Sequence, residues 1–232
     1  MSQVNLRKGL LGQWTCDSAD IDSQKSVITD RSGWSNHAIL EGGVTTGIDT
    51  SRGEVISLGS DGQQVTWIDD GPEIDPKEDD VTVYTVARSN SDSDDTDGGI
   101  IGNSERRDGG LGVSMRGGGG IVAGFRADDV PSNSSYDRDL EVEYDDWFYG
   151  GVRVKDGEVL SFTPLGTNDE FDLTDYDDDF STTRWTSGPD YTRSSAVSPD
   201  VDIAFAGVWN RSLTLSEIEL LDNRSGRMVS QL

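Results

Sequence analysis

The sequence has very little cysteine, histidine and lysine: Cys16 and His37 are single occurrences, and four lysines occur among 232 residues. A single cysteine excludes an internal disulfide framework. A single histidine argues against a zinc site. Any Ser-His-Asp triad would have to use His37, and we expect His37 to be a half-buried residue of a strand. The chain also lacks an apolar run long enough to span a membrane. Its first residues lack the pattern of a secretory leader.

Basic residues are scarce throughout. Lysine and arginine total 19 against 44 aspartates and glutamates, so the formal net charge is −25 and the pI is near 4.1. Because phosphate binding needs clustered basic side chains, this charge argues against nucleic acid and anionic membranes as partners. Like charges repel one another in a compact fold, and salt screens that repulsion. We therefore predict a protein from a halophilic organism that needs roughly molar salt to fold fully.

Short segments rich in β-branched and aromatic residues, separated by Gly, Asp, Asn and Ser, predict an all-β fold. The predicted strands cover residues 55–59, 81–88, 119–127, 146–154, 158–166 and 201–211. Residues 89–99 and 173–183 are predicted to be surface loops. Asp156 and Gly157 supply the turn of a hairpin between two of the strands. No break in composition divides the chain, so we predict one domain over residues 1–232.

One segment near the C-terminus has the pattern of a helix. Thr214 can cap its first turn, and Glu217 three residues later completes a capping box. Leu215, Ile218 and either Leu221 or Leu220 recur at helical spacing, so we expect them to form an apolar stripe on the helix.

Three stretches of the chain resemble the laminin-G-like, concanavalin A-like jelly-roll domains. They are GLLGQW at residues 9–14, TDRSGWSNHAILEGG at 29–43 and VDIAFAGVWNRSLTLSEIELL at 201–221. The resemblance covers about residues 9–222. It implies a jelly-roll sandwich of two antiparallel sheets with one short C-terminal helix. One position departs from the family pattern, because Ala204 stands where the family has an acidic residue.

The stretch around Asp30 allows two interpretations. In the first, the side chains of Asp30 and Asn36 bond backbone N–H groups and hold a turn in which Gly33 takes a positive φ. In the second, the resemblance implies a structural calcium between this turn and the closing strand, with Asp30 and Asp202 among its ligands. Calcium binds about six to eight hard oxygens, so the missing carboxylate at Ala204 weakens the second interpretation.

Three acidic residues alternate along one predicted strand: Glu141, Glu143 and Asp145 would share a face. Paired carboxylates about 7 Å apart carry out glycoside hydrolysis, and some jelly-roll glucanases have a similar acidic strand. The order differs here, the surrounding residues are not apolar, and a chain with 44 acidic residues produces such a triplet by chance. We predict that the protein is not an enzyme and keep a glycoside hydrolase as an alternative.

Aromatic side chains are the candidate ligand-binding groups, because jelly-roll domains that bind sugars do so through stacked rings. The candidates are Trp34, Trp67, Trp147, Trp185 and Tyr191. Trp14 and Trp209 are expected to lie in the core. A carbohydrate-binding, lectin-like module of a haloarchaeon is one function that follows from these residues.

The main functional prediction is a non-catalytic structural or binding module on the surface of a particle. Laminin-G-like domains usually work outside cells, yet no leader is recognisable, and a virion protein resolves that conflict. We therefore expect a decoration protein of a halophilic archaeal virus, located on the virion and contacting other virion proteins and host glycans. The alternative locations are extracellular or cytoplasmic in a halophile. Display on a particle predicts a closed homo-oligomer.

Overall fold

The computed structural model describes residues 5–51, 53–59, 62–91, 98–103, 109–115, 121–127, 145–163, 166–175, 181–189 and 199–225. These residues form sixteen strands and one α-helix. The strands are β1 (Leu10–Thr15), β2 (Ile21–Asp22), β3 (Val27–Ile28), β4 (Ala38–Glu41), β5 (Thr45–Thr50), β6 (Gly53–Leu58), β7 (Gln64–Ile68), β8 (Val81–Ser89), β9 (Gly98–Gly102), β10 (Gly109–Met115), β11 (Ile121–Ala127), β12 (Trp147–Lys155), β13 (Glu158–Thr163), β14 (Gly166–Asp172), β15 (Trp185–Pro189) and β16 (Val201–Trp209). The helix is α1 (Leu215–Ser225).

The strands make two antiparallel sheets, which confirms the predicted all-β sandwich. Sheet A has the order β14-β13-β12-β8-β16-β6-β5, and β1 pairs with the second half of β16. Sheet B has the order β11-β10-β9-β15-β7-β4-β3-β2. Neighbours in each sheet are often far apart in sequence, so the position of any surface site depends on cross-strand register.

Glycine-rich strands account for part of what sequence patterns did not predict. β9 begins at Gly98, inside the predicted loop 89–99, and β10 has no predicted counterpart. A Cβ atom on Gly112 would lie only 2.3 Å from the carbonyl oxygen of Ile101. Only glycine lets the two backbones approach this closely, so glycine occupies several positions of β9 and β10 and weakens the sequence pattern by which strands are usually identified.

Sheet A buries apolar side chains on both of its faces. In β8, Val83 and Ala87 belong to the core between the sheets. Tyr84 and Val86 belong to a second cluster on the opposite face, which we call the outer cluster. Residues of α1 and of the N-terminal segment are among the other members of that cluster. Burial on both faces explains why β8 and β16 have nearly continuous apolar runs.

The C-terminal helix begins as predicted. The backbone N–H of Thr214 donates to Oε2 of Glu217 at 2.9 Å, and the N–H of Glu217 donates to Oγ1 of Thr214 at 3.3 Å, which confirms the capping box. Ile218 and Leu221 are buried in the outer cluster. Leu215 is 50% exposed, so its place in the predicted stripe was wrong. The stripe starts one turn later, because the first helical turn lies at the edge of the cluster.

The predicted hairpin joins β12 and β13. Asp156 has φ 53° and Gly157 has φ 81°. Positive φ at both central residues is typical of a type I′ turn, whose twist matches that of the flanking strands. Lys155 pairs with Glu158 directly beside the turn, and Val154 pairs with Val159 one position further along the strands.

Candidate functional site

Residues 29–37 form a turn, here named the Asp30 turn, that is fixed by one buried carboxylate. Oδ1 of Asp30 accepts from the backbone N–H of Gln13 at 3.0 Å and of Ser32 at 2.8 Å. Oδ2 accepts from the hydroxyl of Ser32 at 2.6 Å and from the N–H of Asn36 at 3.1 Å. Asp30 is only 7% exposed. The four hydrogen bonds that it accepts show that the Asp30 side chain organises the turn, as the first interpretation of the sequence proposed.

Further hydrogen bonds attach the Asp30 turn to β1. The amide of Asn36 donates to the carbonyl of Leu11 at 2.8 Å, and the indole N–H of Trp14 donates to the carbonyl of Asn36 at 2.8 Å. The backbone N–H of Asp30 donates to Nδ1 of His37 at 3.1 Å. His37 is exposed and immediately precedes β4, so the expectation of a half-buried strand residue was wrong.

The tip of this rigid turn carries Trp34. The Trp34 side chain is 68% exposed, the highest value among the large hydrophobic residues in the described parts of the chain. Gly33 has φ 95° and Ser35 has φ 64°, so backbone on both sides of the tryptophan lies in the left-handed region. The turn therefore holds an aromatic face in solvent on a backbone that is already ordered.

Two of the other tryptophan candidates lie in the core between the sheets. Trp67 is completely buried, its indole N–H donates to the carbonyl of Ile100 at 3.1 Å, and its ring centroid lies 5.4 Å from that of Trp14. Trp185 is 1% exposed. Both side chains face inward, so the prediction that they bind ligand was wrong. Tyr191 lies outside the described residues.

A second surface feature is a row of five residues that crosses sheet A on its outer face. Cross-strand register pairs Trp147 with Arg88, Arg88 with Asp202, Asp202 with Ser57, and Ser57 with Thr45. Directly opposed residues of an antiparallel pair point to the same face. We name this set the Arg88 row. It brings together Trp147 and Asp202, which the sequence had suggested as parts of two unrelated sites.

Arg88 is the centre of that row. Its Nη1 lies 3.0 Å from Oδ1 of Asp145, and its Nη2 donates to Oδ2 of Asp202 at 2.5 Å. The ring of Trp147 lies 5.3 Å from the guanidinium carbon, which is a cation–π distance. The amide of Asn90 donates to Oδ1 of Asp202 at 2.7 Å. Arg88 was missed by sequence reasoning, although a cationic residue ending the apolar strand at 81–88 was a usable signal.

The acidic neighbour of this row, Asp200, has a perturbed pKa. Burial raises the pKa of the Asp200 carboxyl, the nearby charge of Asp202 raises it further, and a hydrogen bond from Asn90 opposes both effects. Two carboxylates close together disfavour the ionisation of the one that lacks a cationic partner.

The geometry does not fit a calcium ion held by Asp30 and Asp202. Asp30 bonds Gln13, which pairs with Gly207, five residues along β16 from Asp202. At strand spacing that separation is about 17 Å. All four carboxylate oxygens accept hydrogen bonds from the protein, and Arg88 already supplies positive charge to Asp202. Ala204, at the family's acidic position, lies in the apolar outer cluster.

The acidic triplet lies mostly outside the described residues, because Glu141 and Glu143 are not among them. Asp145 is 68% exposed and forms an ion pair with Arg88. The described parts of the chain contain no group of three or more His, Cys, Asp and Glu side chains arranged for a metal ion. No helix among the described residues is long and apolar enough to cross a membrane.

Comparisons with known proteins identify the fold. No family model and no curated protein matches the chain. Among solved structures, the receptor-binding domain of botulinum neurotoxin D matches with a TM-score of 0.69 at 13% identity, over 94% of this chain and 53% of that one. The binding domain of Paraclostridial Mosquitocidal Protein 1 matches with a TM-score of 0.64 at 14% identity, over 94% and 53%. Trypanosoma rangeli sialidase in complex with sialic acid matches with a TM-score of 0.68 at 13% identity, over 97% and 34%.

These structures share the sandwich architecture with this chain. At 13% to 14% identity the likeness shows the fold alone. The chain spans about half the length of the first two structures and about a third of the sialidase.

Proposed function

We propose that the protein is a non-catalytic binding module that contacts glycans on a cell surface through the Asp30 turn. The observation that carries this proposal is the 68% exposure of Trp34 at the tip of a turn fixed by the buried Asp30 carboxylate. An aromatic ring offers a large apolar face to the C–H groups of a sugar. Because the turn is already ordered, binding loses little backbone entropy.

Aromatic side chains are efficient binding groups for a second reason. Tryptophan has only two rotatable side-chain bonds, so it provides a large contact area at a low entropic cost. Tryptophan is also enriched among the residues that dominate binding energy in protein interfaces.

The structural neighbours support a binding role as analogies. Two of them are described as a receptor-binding domain and a binding domain, and a third was solved with sialic acid. Function cannot be transferred through a shared fold. The proposal for this chain therefore depends on Trp34 and its setting.

A glycan screen at molar salt tests the proposal. We expect binding to an immobilised panel of cell-surface glycans that Trp34→Ala reduces at least about tenfold, since a stacked aromatic contributes on the order of 1.4 kcal/mol or more. The matched control is Leu215→Ala, which removes another large exposed side chain, 50% exposed on α1. Binding that both variants retain, or that both lose, contradicts a site at the Asp30 turn.

Display on a particle is the second part of the proposal. The net charge of −25 suits a protein that works in high salt, where a virion or cell surface of a halophile is exposed. Repeated copies in a closed homo-oligomer would strengthen weak glycan binding through avidity. Proteomics of purified virions from a high-salt source should find the chain on the particle. Its absence from particles and its presence in a cell-surface fraction would favour the lectin-like alternative.

A further inference from the structure

We propose that Arg88 anchors a second binding site, for a sugar that carries a carboxylate group, and that Asp145 competes with that carboxylate. The site lies on the outer face of sheet A. It uses different residues from the Asp30 turn, so it stands whether or not Trp34 binds glycans.

The two acidic partners of Arg88 differ in how firmly they are held. The Asp202 side chain is 4% exposed and also accepts from Asn90, so it is a permanent partner of the guanidinium. The Asp145 side chain is 68% exposed. Its φ of 69° lies in the left-handed region, which aspartate tolerates better than most residues other than glycine. Exposed ion pairs contribute little to stability, so another carboxylate can replace Asp145 at small cost.

Two buried donors beside this ion pair have no acceptor in the described parts of the chain. They are Nε of Arg88 and the indole Nε1 of Trp147. The ion pair with Asp145 is formed by Nη1 of Arg88 and one carboxylate oxygen. The Nε–H of an arginine points to the same side as Nη2, which already donates to Asp202. A ligand carboxylate that replaces Asp145 would accept from Nη1, and the indole N–H of Trp147 is a second donor that Asp145 does not use.

The surroundings of Arg88 favour a sugar acid over other carboxylates. Trp147 and Tyr149 are half-buried and alternate on β12, so their side chains leave the same face about 7 Å apart. Ser57 and Thr45 continue the row with hydroxyl groups, of which Thr45 is exposed. Aromatic faces and hydroxyls suit the C–H and O–H groups of a sugar ring. The strongly negative protein disfavours a polyanion, which points to a ligand with isolated carboxylates.

Calorimetric titration of the intact protein at molar salt tests the inference. The probe is glucuronate, and glucose is the uncharged reference. Asp145→Asn keeps the shape of the side chain but removes the competing charge, so we expect it to tighten glucuronate binding roughly two- to five-fold. The matched control is Asp156→Asn. Asp156 is also an exposed aspartate with positive φ, and its nearest cation is Lys155 at 3.8 Å.

Arg88→Lys keeps the positive charge but removes the fork of the guanidinium, so glucuronate binding should fall at least about tenfold. A melting curve of Arg88→Lys shows whether its fold is intact. If the fold is lost, the glucuronate titration of Asp145→Asn decides whether the site exists. Trp34→Ala should leave glucuronate binding unchanged, which separates this site from the Asp30 turn.

Several results would overturn the inference. They are equal binding of glucose and glucuronate, a preference for an acidic dipeptide, no tightening in Asp145→Asn, or no saturable binding of glucuronate. Loss of glucuronate binding in Trp34→Ala would assign that binding to the Asp30 turn and would also reject a site at Arg88.

Discussion

Asp30 and Asp202 are both more than nine-tenths buried, but the molecule satisfies their charges in different ways. Asp30 accepts four hydrogen bonds from neutral N–H and O–H groups, three of which belong to its own turn. Asp202 accepts from the guanidinium of Arg88 and the amide of Asn90, which are more than a hundred residues away in sequence. The first carboxylate is held by local backbone geometry and the second by strand pairing.

This difference separates a rigid turn from a balanced charge network. The Asp30 turn has a single arrangement because three of the four donors to Asp30 are backbone N–H groups that cannot move independently. In the Arg88 row, the guanidinium is shared between the buried Asp202 and the exposed Asp145, so another carboxylate can take the place of Asp145. The Asp30 turn is therefore suited to presenting Trp34, and the Arg88 row to exchanging one carboxylate for another.

The largest expected effect comes from Arg88→Ala. This change leaves Asp202 buried with only the Asn90 amide as a partner, and breaking a buried ion pair from one side costs about 3 kcal/mol. The control is Arg184→Ala, whose ion-pair partner Asp69 is 62% exposed and which should cost less. Denaturant unfolding at molar salt measures both free energies. Equal losses would mean that Asp202 gains little from Arg88.

The second expected effect comes from Asp30→Ala, which removes the acceptor of four hydrogen bonds and should cost about 2 kcal/mol. Asp22→Ala is the control, because Asp22 also accepts backbone N–H groups in a turn but its side chain is 38% exposed. The same unfolding experiment compares them. A loss for Asp30 no greater than that for Asp22 would contradict its role as organiser of the turn.

A smaller effect is expected from Asp200→Asn. Because the folded-state pKa of Asp200 is raised, the folded protein binds more protons at this site than the unfolded chain does just above pH 3.8. The stability that this group contributes therefore falls as pH rises from 3.8 to the folded pKa, and at neutral pH its charge opposes folding. The variant should be more stable at pH 7 by about 0.5 kcal/mol or less, since Asp200 is only partly buried.

The gain in Asp200→Asn should shrink as pH falls towards 3.8. Unfolding curves of both proteins at several pH values measure it. A variant that is less stable than the parent at pH 7, or a difference that grows towards low pH, would contradict the assigned direction of the pKa.

The smallest expected effect is that of calcium. Since the oxygens of Asp30 and Asp202 are already hydrogen-bonded, we expect the same melting temperature in excess calcium and in excess chelator. A ligand that binds only the folded state raises the melting temperature. A fall on chelation, lost in Asp30→Ala, would restore the calcium interpretation and would contradict the hydrogen-bond assignment of this turn.

Features set by neighbouring residues could be read from the sequence. The capping box of Thr214 and Glu217, the hairpin turn at Asp156 and Gly157, and the turn organised by Asp30 all depend on residues within a few positions of one another. Their donors and acceptors have little freedom to find other partners. The alternation and spacing of apolar segments also carried the fold class, because strands of a sandwich must bury one face.

Which surface each side chain reaches was decided only by the tertiary structure. Trp34, Trp67 and Trp185 look alike as sequence candidates, but one is 68% exposed and two are in the core. Trp147, Arg88 and Asp202 meet because register places them opposite one another across three strands. Local sequence specifies the alternation of a strand. The choice of neighbouring strands and of the covered faces depends on packing among distant segments.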